Sequence, residues 1–346
     1  MPSSTVYFYS DAPNLREGAA ECFKLIAKDF GPTGKVGLKV HFGELGNTTH
    51  IKPEWLADAK TILPKAAFVE CNVLYRGSRT VRKDHVATAV KHGFDFLPVD
   101  ILDGERGEAQ AEVAVNIGST KKAKLGAGLL NYDRLVALTH FKGHTAAGFG
   151  GALKNIGMGL GSRAGKMDMH SIISPVVKEG KCVACGTCVK DCPVNAISIH
   201  AISLGTVAAI DSGKCIGCAH CIAVCPQGAI DLNWASTGGV SRLMEKIAEY
   251  AYAAMTGRQW WFINFVTDVT YDCDCYGIDQ KPFIGDIGIV LSKDPVAADQ
   301  ASLDLVKEKN NGKDPFMEKH HVDGTYMLEY AEKIGLGTRR YEIEEL

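Results

Sequence analysis

The chain has 346 residues, of which 46% are hydrophobic and 23% are charged, and its formal net charge is −2 at pH 7. The length suits two domains, or one large α/β domain with an insertion. The charge argues against nucleic acid as the main partner, because phosphate binding needs a basic surplus. No apolar run approaches about 18 residues, so no membrane span is expected. The N-terminus lacks the basic and apolar regions of a signal peptide, so we expect a cytoplasmic protein.

Short apolar runs rich in β-forming residues alternate with amphipathic stretches in the first part of the chain. The stretch at 14–30 has helical periodicity, and the stretch at 80–94 places Val86, Ala89 and Val90 on one helical face. This alternation predicts βαβ units, and therefore an α/β fold with a mostly parallel sheet and flanking helices. The predicted strands of this part are residues 5–10, 35–42, 66–72 and 134–141.

The alternation stops near residue 175 and resumes near residue 235. The sequence then predicts a helix over 238–257, a buried strand that begins at Trp260, another strand over 286–292 and a helix that starts at Pro295. Neither flank alone offers enough strands for a sheet, so an inserted module is the simplest arrangement, and three consecutive domains are the alternative. The predicted boundaries are 1–174 and 236–346 for the α/β domain, and 175–235 for the module.

Eight of the twelve cysteines fall in two copies of the pattern C-x2-C-x2-C-x3-C-P, at 182–193 and 215–226. Three such thiolates ligate three irons of one cubane, and the fourth, which precedes proline, ligates the other cluster. Structural zinc sites usually combine two C-x2-C pairs that lie a dozen or more residues apart. The pattern therefore predicts two 4Fe-4S clusters, with Cys182, Cys185, Cys188 and Cys225 on cluster I, and Cys215, Cys218, Cys221 and Cys192 on cluster II.

Residues 178–235 resemble the bacterial two-cluster ferredoxins, which implies low-potential one-electron transfer. A ferredoxin of this type is complete in about 60 residues, so the rest of the chain needs a function of its own. The whole chain is similar to the family labelled uncharacterised Fe–S centre protein, an α/β domain of unknown function with an inserted two-cluster ferredoxin module. The segments that carry this resemblance are the ferredoxin insert, THFKGHTAAGFGGALKN (139–155), CDC (273–275) and GDIGIVLSKDPVAADQA (285–301).

The glycine-rich segment at 140–159 has three interpretations. A dinucleotide loop or P-loop is disfavoured, because Leu153 occupies the position of the third required glycine and Met167 follows Gly165-Lys166. A less specific anion-binding nest stays open. The second interpretation is a catalytic loop at the carboxyl end of a strand, where open α/β sheets bind ligands. The third is structural, with glycines that let a helix pack closely against the ferredoxin insert.

The spacing of His144, Lys154 and His170, with glycines between, is similar to that in the lactate racemase family. The resemblance implies that Lys154 attaches a nickel-pincer nucleotide, that His170 ligates the metal and that His144 is the acid/base. The chain departs from that family because it has no Asp-x-Thr-Arg segment, and its second strand ends instead in KVHFGE (39–44). The resemblance therefore implies a shared fold and pocket more than a shared cofactor.

A second candidate site is the C-x-C pair Cys273 and Cys275. If the segment is extended, both thiols lie on one face and Asp272 and Asp274 lie on the other. The pair can hold an additional metal ion, form a redox pair, or lie as plain thiols in a core strand. Further metal ligands would come from His41, His50, His144 or His170.

The sequence as a whole predicts an oxidoreductase of unknown substrate. Its two clusters transfer low-potential electrons to or from a pocket in the α/β domain, where His144, Lys154 and His170 are the catalytic candidates. The expected partners are a ferredoxin-type electron donor or acceptor protein and a small anionic substrate. The alternatives are a non-catalytic electron carrier that docks on another redox protein, and a metal-dependent isomerase or lyase of lactate racemase-like fold.

Overall fold

The structure, a computed structural model, describes residues 2–10, 12–170, 174–203, 205–232 and 239–346. Its strands are β1 (Ser4–Tyr9), β2 (Val36–Val40), β3 (Ala66–Glu70), β4 (Val99–Ile101), β5 (Gln110–Ile117), β6 (Thr120–Gly126), β7 (Arg134–His140), β8 (Lys142–His144), β9 (Gly148–Gly150), β10 (Val176–Val177), β11 (Ile197–Ile202), β12 (Gly205–Ile210), β13 (Ile230–Asp231), β14 (Gln259–Val266), β15 (Gly288–Ser292) and β16 (Tyr341–Glu345).

Helices connect most of these strands. They are α1 (Leu15–Phe30), α2 (Ala59–Ile62), α3 (Arg82–Lys91), α4 (Ala152–Leu160), α5 (Arg163–Met169), α6 (Thr187–Lys190), α7 (His220–Val224), α8 (Val240–Met255), α9 (Pro295–Lys309), α10 (Pro315–His320) and α11 (Thr325–Lys333). No helix in the described ranges is long and apolar enough to cross a membrane.

Eight strands form the main sheet, in the order β16-β1-β15-β14-β7-β2-β3-β4. Most neighbouring strands are parallel, and only β15 runs antiparallel to its neighbours β1 and β14. The predicted α/β fold with a mostly parallel sheet and flanking helices is therefore confirmed. The carboxyl ends of β2, β3, β7 and β14 lie side by side at one edge of this sheet, so the loops that follow these strands meet there.

Both faces of the main sheet are covered, which explains why its central strands are apolar at every position. Successive residues of β7 alternate between two hydrophobic cores: Leu135 packs with α4, α8 and α9, whereas Val136 packs with α1 and the segment that follows β2. The predicted helix at the start of the chain is confirmed as α1, and α9 begins at Pro295 after the capping carboxylate of Asp294.

The strands between residues 175 and 232 pair only with one another in the described part of the chain, β10 with β13 and β11 with β12. The strands before and after this segment share the main sheet. The predicted junctions border residues 171–173 and 233–238, which lie outside the described residues. The boundaries 1–174, 175–235 and 236–346 therefore stay predictions.

Candidate functional site

The eight cysteines of the repeated motif line two cavities, four in each. Each cavity has about 330 Å³ of space free of protein atoms, its open mouth included. These two groups of four are the same sets that the motif spacing predicts, with three cysteines from one motif and the fourth from the other. The first cavity is lined by Cys182, Cys185, Cys188 and Cys225, and the second by Cys192, Cys215, Cys218 and Cys221.

Among the described residues, no group of three or more His, Cys, Asp or Glu side chains is arranged to hold a metal ion. A single tetrahedral zinc needs its sulfurs to converge at about 2.3 Å from one point. A cubane instead binds one thiolate at each iron, so its four cysteines surround a larger body. Four cysteines that line one cavity match the number of thiolates that a cubane binds.

The backbone around the two cavities repeats with the motif. Left-handed residues recur at matching places 33 positions apart: Ala184 with Gly217, Gly186 with Ala219, and Asn195 with Gly228. Backbone N–H groups also donate to matching thiols. Ala196 donates to Cys192 Sγ at 3.2 Å, and Ala229 donates to Cys225 Sγ at 3.3 Å. Donors directed at sulfur stabilise thiolate and adjust the potential of a bound cluster. The residues present therefore fit two clusters.

The second cavity lies against the α/β domain. Arg163 is fully buried, and its guanidinium interacts electrostatically with Cys218 and Cys221. It donates to the carbonyl oxygens of Arg106 at 2.7 Å and Leu74 at 3.4 Å. Burial lowers the pKa of Arg163. A buried cation that acts on two of these cysteines favours extra negative charge at that cavity.

The glycine-rich segment forms the hairpin β8–β9 and the start of α4. Added methyl groups would collide with backbone carbonyls, at Gly143 with that of Tyr271 and at Gly157 with that of Ile247. Close packing is therefore a real role of these glycines. The packing partner differs from the expected one, because among the described residues α4 packs mainly on α8 and α9 of the α/β domain rather than on the segment 175–232.

The N-terminus of α4, where the sequence left an anion nest open, already holds a carboxylate of this chain. Asp299 accepts from the backbone N–H groups of Ala152 at 2.6 Å and Leu153 at 3.0 Å, and from Asn264 Nδ2 at 2.8 Å. Burial raises the pKa of Asp299 to about 6. This helix end is therefore filled and is not a free phosphate site.

A buried charged group organises the carboxyl edge of β7. His140 Nδ1 lies 2.9 Å from Asp274 Oδ2, and its Nε2 lies 2.9 Å from the carbonyl oxygen of Thr267. Both ring nitrogens face acceptors, so both donate only in the imidazolium form. Lys142 Nζ lies 3.3 Å from the same carboxylate. Burial would raise the pKa of Asp274, but His140 and Lys142 together hold it well below its usual value.

Lys154 interacts electrostatically with the other predicted site residues. Its charge acts on His144, His170, Cys273 and Cys275. Burial, reinforced by Lys154, lowers the pKa of His170 to about 4 and that of His144 well below its usual value. His144 Nδ1 accepts from the backbone N–H of Ala146 at 3.2 Å, so its proton resides on Nε2. The structure thus brings together the five residues that the sequence predicted from two separate segments.

The segment of Cys273 and Cys275 is a tight turn and not an extended strand. The backbone N–H of Tyr276 donates to the carbonyl oxygen of Cys273 at 3.1 Å, which closes the turn. The two thiols nevertheless belong to the same turn: the backbone N–H of Cys275 donates to Cys273 Sγ at 3.4 Å, and the charge of Cys273 acts on Cys275. Asp274 between them points to His140 and to Thr49 Oγ1, 3.2 Å away, and this buried ion pair fixes the turn.

Two of the histidines that the sequence offered as further metal ligands have protein partners of their own. His41 Nε2 lies 3.0 Å from Arg79, and its Nδ1 accepts from Gly43 N–H at 3.2 Å. His50 stacks on His92 with ring centroids 4.3 Å apart, and burial lowers the pKa of His50 to about 4.

The sequence reasoning missed the loop after β3. It brings Tyr75 to Cys275, with which it interacts electrostatically, and Arg79 to within 3.3 Å of Glu44. A buried pair on β2 and β3 was also missed: Lys39 Nζ lies 2.9 Å from Glu70 Oε2 and 2.7 Å from Asn155 Oδ1. The position of this loop after a strand that ends at the same sheet edge could have indicated its role. The loop is far in sequence from the glycine-rich segment, so the two were not connected.

A family model described as Domain of unknown function (DUF362) matches residues 36–304. The chain belongs to the DUF362 family. The matched region of this DUF362 protein includes both cysteine motifs, the glycine-rich segment and the C-x-C pair. No curated protein matches the chain.

Solved structures offer two distant likenesses to the DUF362 chain. The lactate racemase apoprotein from Thermoanaerobacterium thermosaccharolyticum is 15% identical with a TM-score of 0.41, and the match covers 77% of this chain and 51% of that one. A protein from Thermotoga maritima is 11% identical with a TM-score of 0.42, and the match covers 85% of this chain and 59% of that one. The matches therefore span less than two thirds of either structure.

Proposed function

We propose that this DUF362 protein is an iron–sulfur redox protein, in which two 4Fe-4S clusters exchange low-potential electrons with a pocket in the α/β domain. The observation that carries the proposal is the grouping of eight cysteines around two cavities, each with three cysteines of one motif and the fourth of the other. When bound, such clusters supply one-electron transfer at low potential. The proposal includes a ferredoxin module at 175–235 inserted in the α/β domain.

The α/β pocket is proposed as the site where the electrons are used. Its lining is cationic around the two thiols, because Lys142 and Lys154 act on both of them. Asp274 neutralises Lys142 but is itself shared with His140. This charge balance favours a small anionic substrate. Lys154 would orient the anion, and His144 would donate a proton from Nε2.

The test of cluster binding is metal content after anaerobic purification. We expect roughly eight iron and eight sulfide per wild-type chain. Cys188→Ala removes a ligand of cluster I and should lower both values, whereas Cys22→Ala serves as the matched control, since Cys22 is buried in the core of the α/β domain. Zinc in place of iron, or equal iron in both variants, would contradict the proposal.

The reactivity of the pocket distinguishes the proposed redox function from the alternative of a non-catalytic electron carrier. We expect the chemically reduced protein to be reoxidised by a member of a panel of small anionic acceptors such as 2-oxo acids, and Lys154→Ala to slow that reaction while iron content stays unchanged. If no acceptor reoxidises the wild-type protein, and Lys154→Ala and His144→Ala both transfer electrons to a protein acceptor as wild type does, the chain is a carrier only.

A second candidate function rests on the convergence of His144, Lys154 and His170. It is an isomerase or lyase like the lactate racemase family. The residues fit the pincer cofactor only in part, because the Asp-x-Thr-Arg segment is absent, so no step is derived through that group. This candidate predicts that lactate in D2O exchanges its C2 hydrogen even after the clusters are oxidised, and that Lys154→Ala abolishes the exchange.

A further inference from the structure

The C-x-C pair has the geometry of a reversible disulfide. Cys273 and Cys275 are both free thiols of one tight turn, and the charge of Cys273 acts on Cys275. The backbone N–H of Cys275 donates to Cys273 Sγ at 3.4 Å. Disulfides need Cα separations of about 4.4–6.8 Å, and residues two apart within one tight turn meet that condition.

The charges around the pair favour a dithiol centre over a metal site. Lys142 and Lys154 act on both thiols, and Arg79 acts on Cys275. These cations would repel a metal ion but stabilise one thiolate. The contact with Cys275 and the charges of Lys154 and Lys142 hold the pKa of Cys273 well below its usual value, whereas the contact with Cys273 and burial hold the pKa of Cys275 well above its usual value. The reduced pair is therefore one thiolate and one thiol.

Consecutive residues of one loop connect this pair with the second cysteine cavity. Leu74 belongs to the packed group of buried side chains that also includes Met167, Cys188 and Cys221. Its neighbour Tyr75 interacts electrostatically with Cys275 and Cys273. The carbonyl oxygen of Leu74 accepts from Arg163, which interacts with Cys218 and Cys221. The loop thus contacts the surroundings of the cavity on one side and the C-x-C pair on the other.

We infer that Cys273 and Cys275 are a two-electron acceptor that cycles between disulfide and dithiol, fed through the loop of Leu74 and Tyr75. This inference rests on the proposed function, because the electrons come singly from a low-potential iron–sulfur donor. The sulfur–sulfur bond breaks, two electrons enter, and one proton binds at Cys275 Sγ while Cys273 is left as thiolate. Lys142 and Lys154 balance the charge that this thiolate adds.

Thiol mapping tests the disulfide directly. The purified holoprotein is equilibrated with mixtures of oxidised and reduced dithiothreitol, quenched in acid, alkylated and digested. We expect the peptide that contains both cysteines to become lighter by about 2 Da and to escape alkylation in the oxidised mixtures. Cys22 provides the control within the same sample and should stay unpaired. Full alkylation of both cysteines at every ratio would overturn the inference.

Electron counting tests the link to the clusters. Oxidised wild-type protein should take up about four electrons per chain in an anaerobic titration, two for the clusters and two for the disulfide. Cys273→Ser and Cys275→Ser should each take up about two, with unchanged iron content. An uptake of two electrons by a wild-type chain that holds both clusters contradicts the inference but leaves the proposed function intact. A chain without iron contradicts the proposed function, and thiol mapping then decides the disulfide alone.

A rate measurement identifies the loop as the connection. Tyr75→Phe keeps the packing of the ring but removes the hydroxyl that interacts with Cys275, so reduction of the disulfide by the reduced clusters should slow by roughly tenfold or more, while thiol mapping with dithiothreitol stays unchanged. Equal rates in Tyr75→Phe and wild type would contradict this connection.

Discussion

At the scale of single residues, the buried carboxylate of Asp274 is the group on which the C-x-C turn depends. Its removal in Asp274→Asn leaves His140 and Lys142 without their counter-charge, and we expect a loss of about 3–5 kcal/mol in the free energy of unfolding. Asp272→Asn is the matched control, with a change within about 0.5 kcal/mol. Urea unfolding measures both variants. Equal effects would show that the ion pairs of Asp274 do not hold the turn.

The buried side chain of His50 makes the stability of the protein depend on pH. Burial lowers its pKa to about 4, so the folded protein keeps it neutral while the unfolded chain protonates it below about 6.5. The unfolded state therefore binds more protons between these values, and stability falls as the pH drops from 6.5 towards 4. His50→Gln should reduce this fall by up to ~3 kcal/mol.

The measurement is the urea midpoint between pH 7.5 and 5, in wild type, His50→Gln and the exposed control His321→Gln. Wild type should lose stability with acidification more steeply than His50→Gln and in parallel with His321→Gln. Other buried histidines such as His85 and His144 share this direction, so His50→Gln flattens the profile without abolishing it. A profile of His50→Gln that coincides with wild type would contradict the assignment.

Arg163 is predicted to adjust the potential of one cluster. Its guanidinium acts on Cys218 and Cys221 of cluster II, and a nearby cation favours the more negative reduced state. Arg163→Met should lower the midpoint potential of one centre only, whereas Arg163→Lys, which keeps the charge, should largely restore it. Arg106→Gln removes a partly exposed ion pair with Asp191 and should change little. Identical potentials in all variants contradict the prediction.

At the scale of elements, the packing of α4 on α8 depends on a glycine. A methyl group at Gly157 would collide with the carbonyl oxygen of Ile247, so Gly157→Ala should destabilise the protein by about 1–3 kcal/mol. Gly180 has no atom within 4 Å of an added Cβ, so Gly180→Ala should change stability by about 0.5 kcal/mol or less. Thermal unfolding of both holoproteins checks the difference, and equal midpoints would mean that the two helices separate easily.

The helices and strands also show where the hydrophobic periodicity of the sequence predicts the buried face and where it does not. The strands and α1 followed directly from apolar runs and helical spacing, because both faces of the sheet are buried. The inner face of α3 followed in part, because Ala89 is buried and Val86 packs against the core as predicted. Val90 is instead 49% exposed, while His85 is fully buried with its ring 5.6 Å from that of Phe42. Hydrophobicity alone did not place His85 in the core, because an aromatic contact buries its polar ring.

At the scale of the whole molecule, the local patterns were more predictable than the contacts between distant segments. The two sets of four cysteines follow from spacing, because the repeated motif is local. The turn at Cys273 was not predictable, because the ion pair that fixes it joins Asp274 to His140 across 134 positions. Asp299 at the start of α4 was missed for the same reason. Tertiary partners decide which buried charges are satisfied, and a single sequence does not reveal them.

The proposed function requires that two low-potential one-electron centres lie beside a redox-active pocket in one DUF362 chain. An anaerobic redox titration followed by electron paramagnetic resonance tests it most directly. We expect two 4Fe-4S signals per wild-type chain that interact magnetically. One of these signals should be lost in Cys188→Ala, and both should be retained in Cys22→Ala. A protein that binds zinc, or that shows no paramagnetic signal at any potential after anaerobic reconstitution, would contradict it.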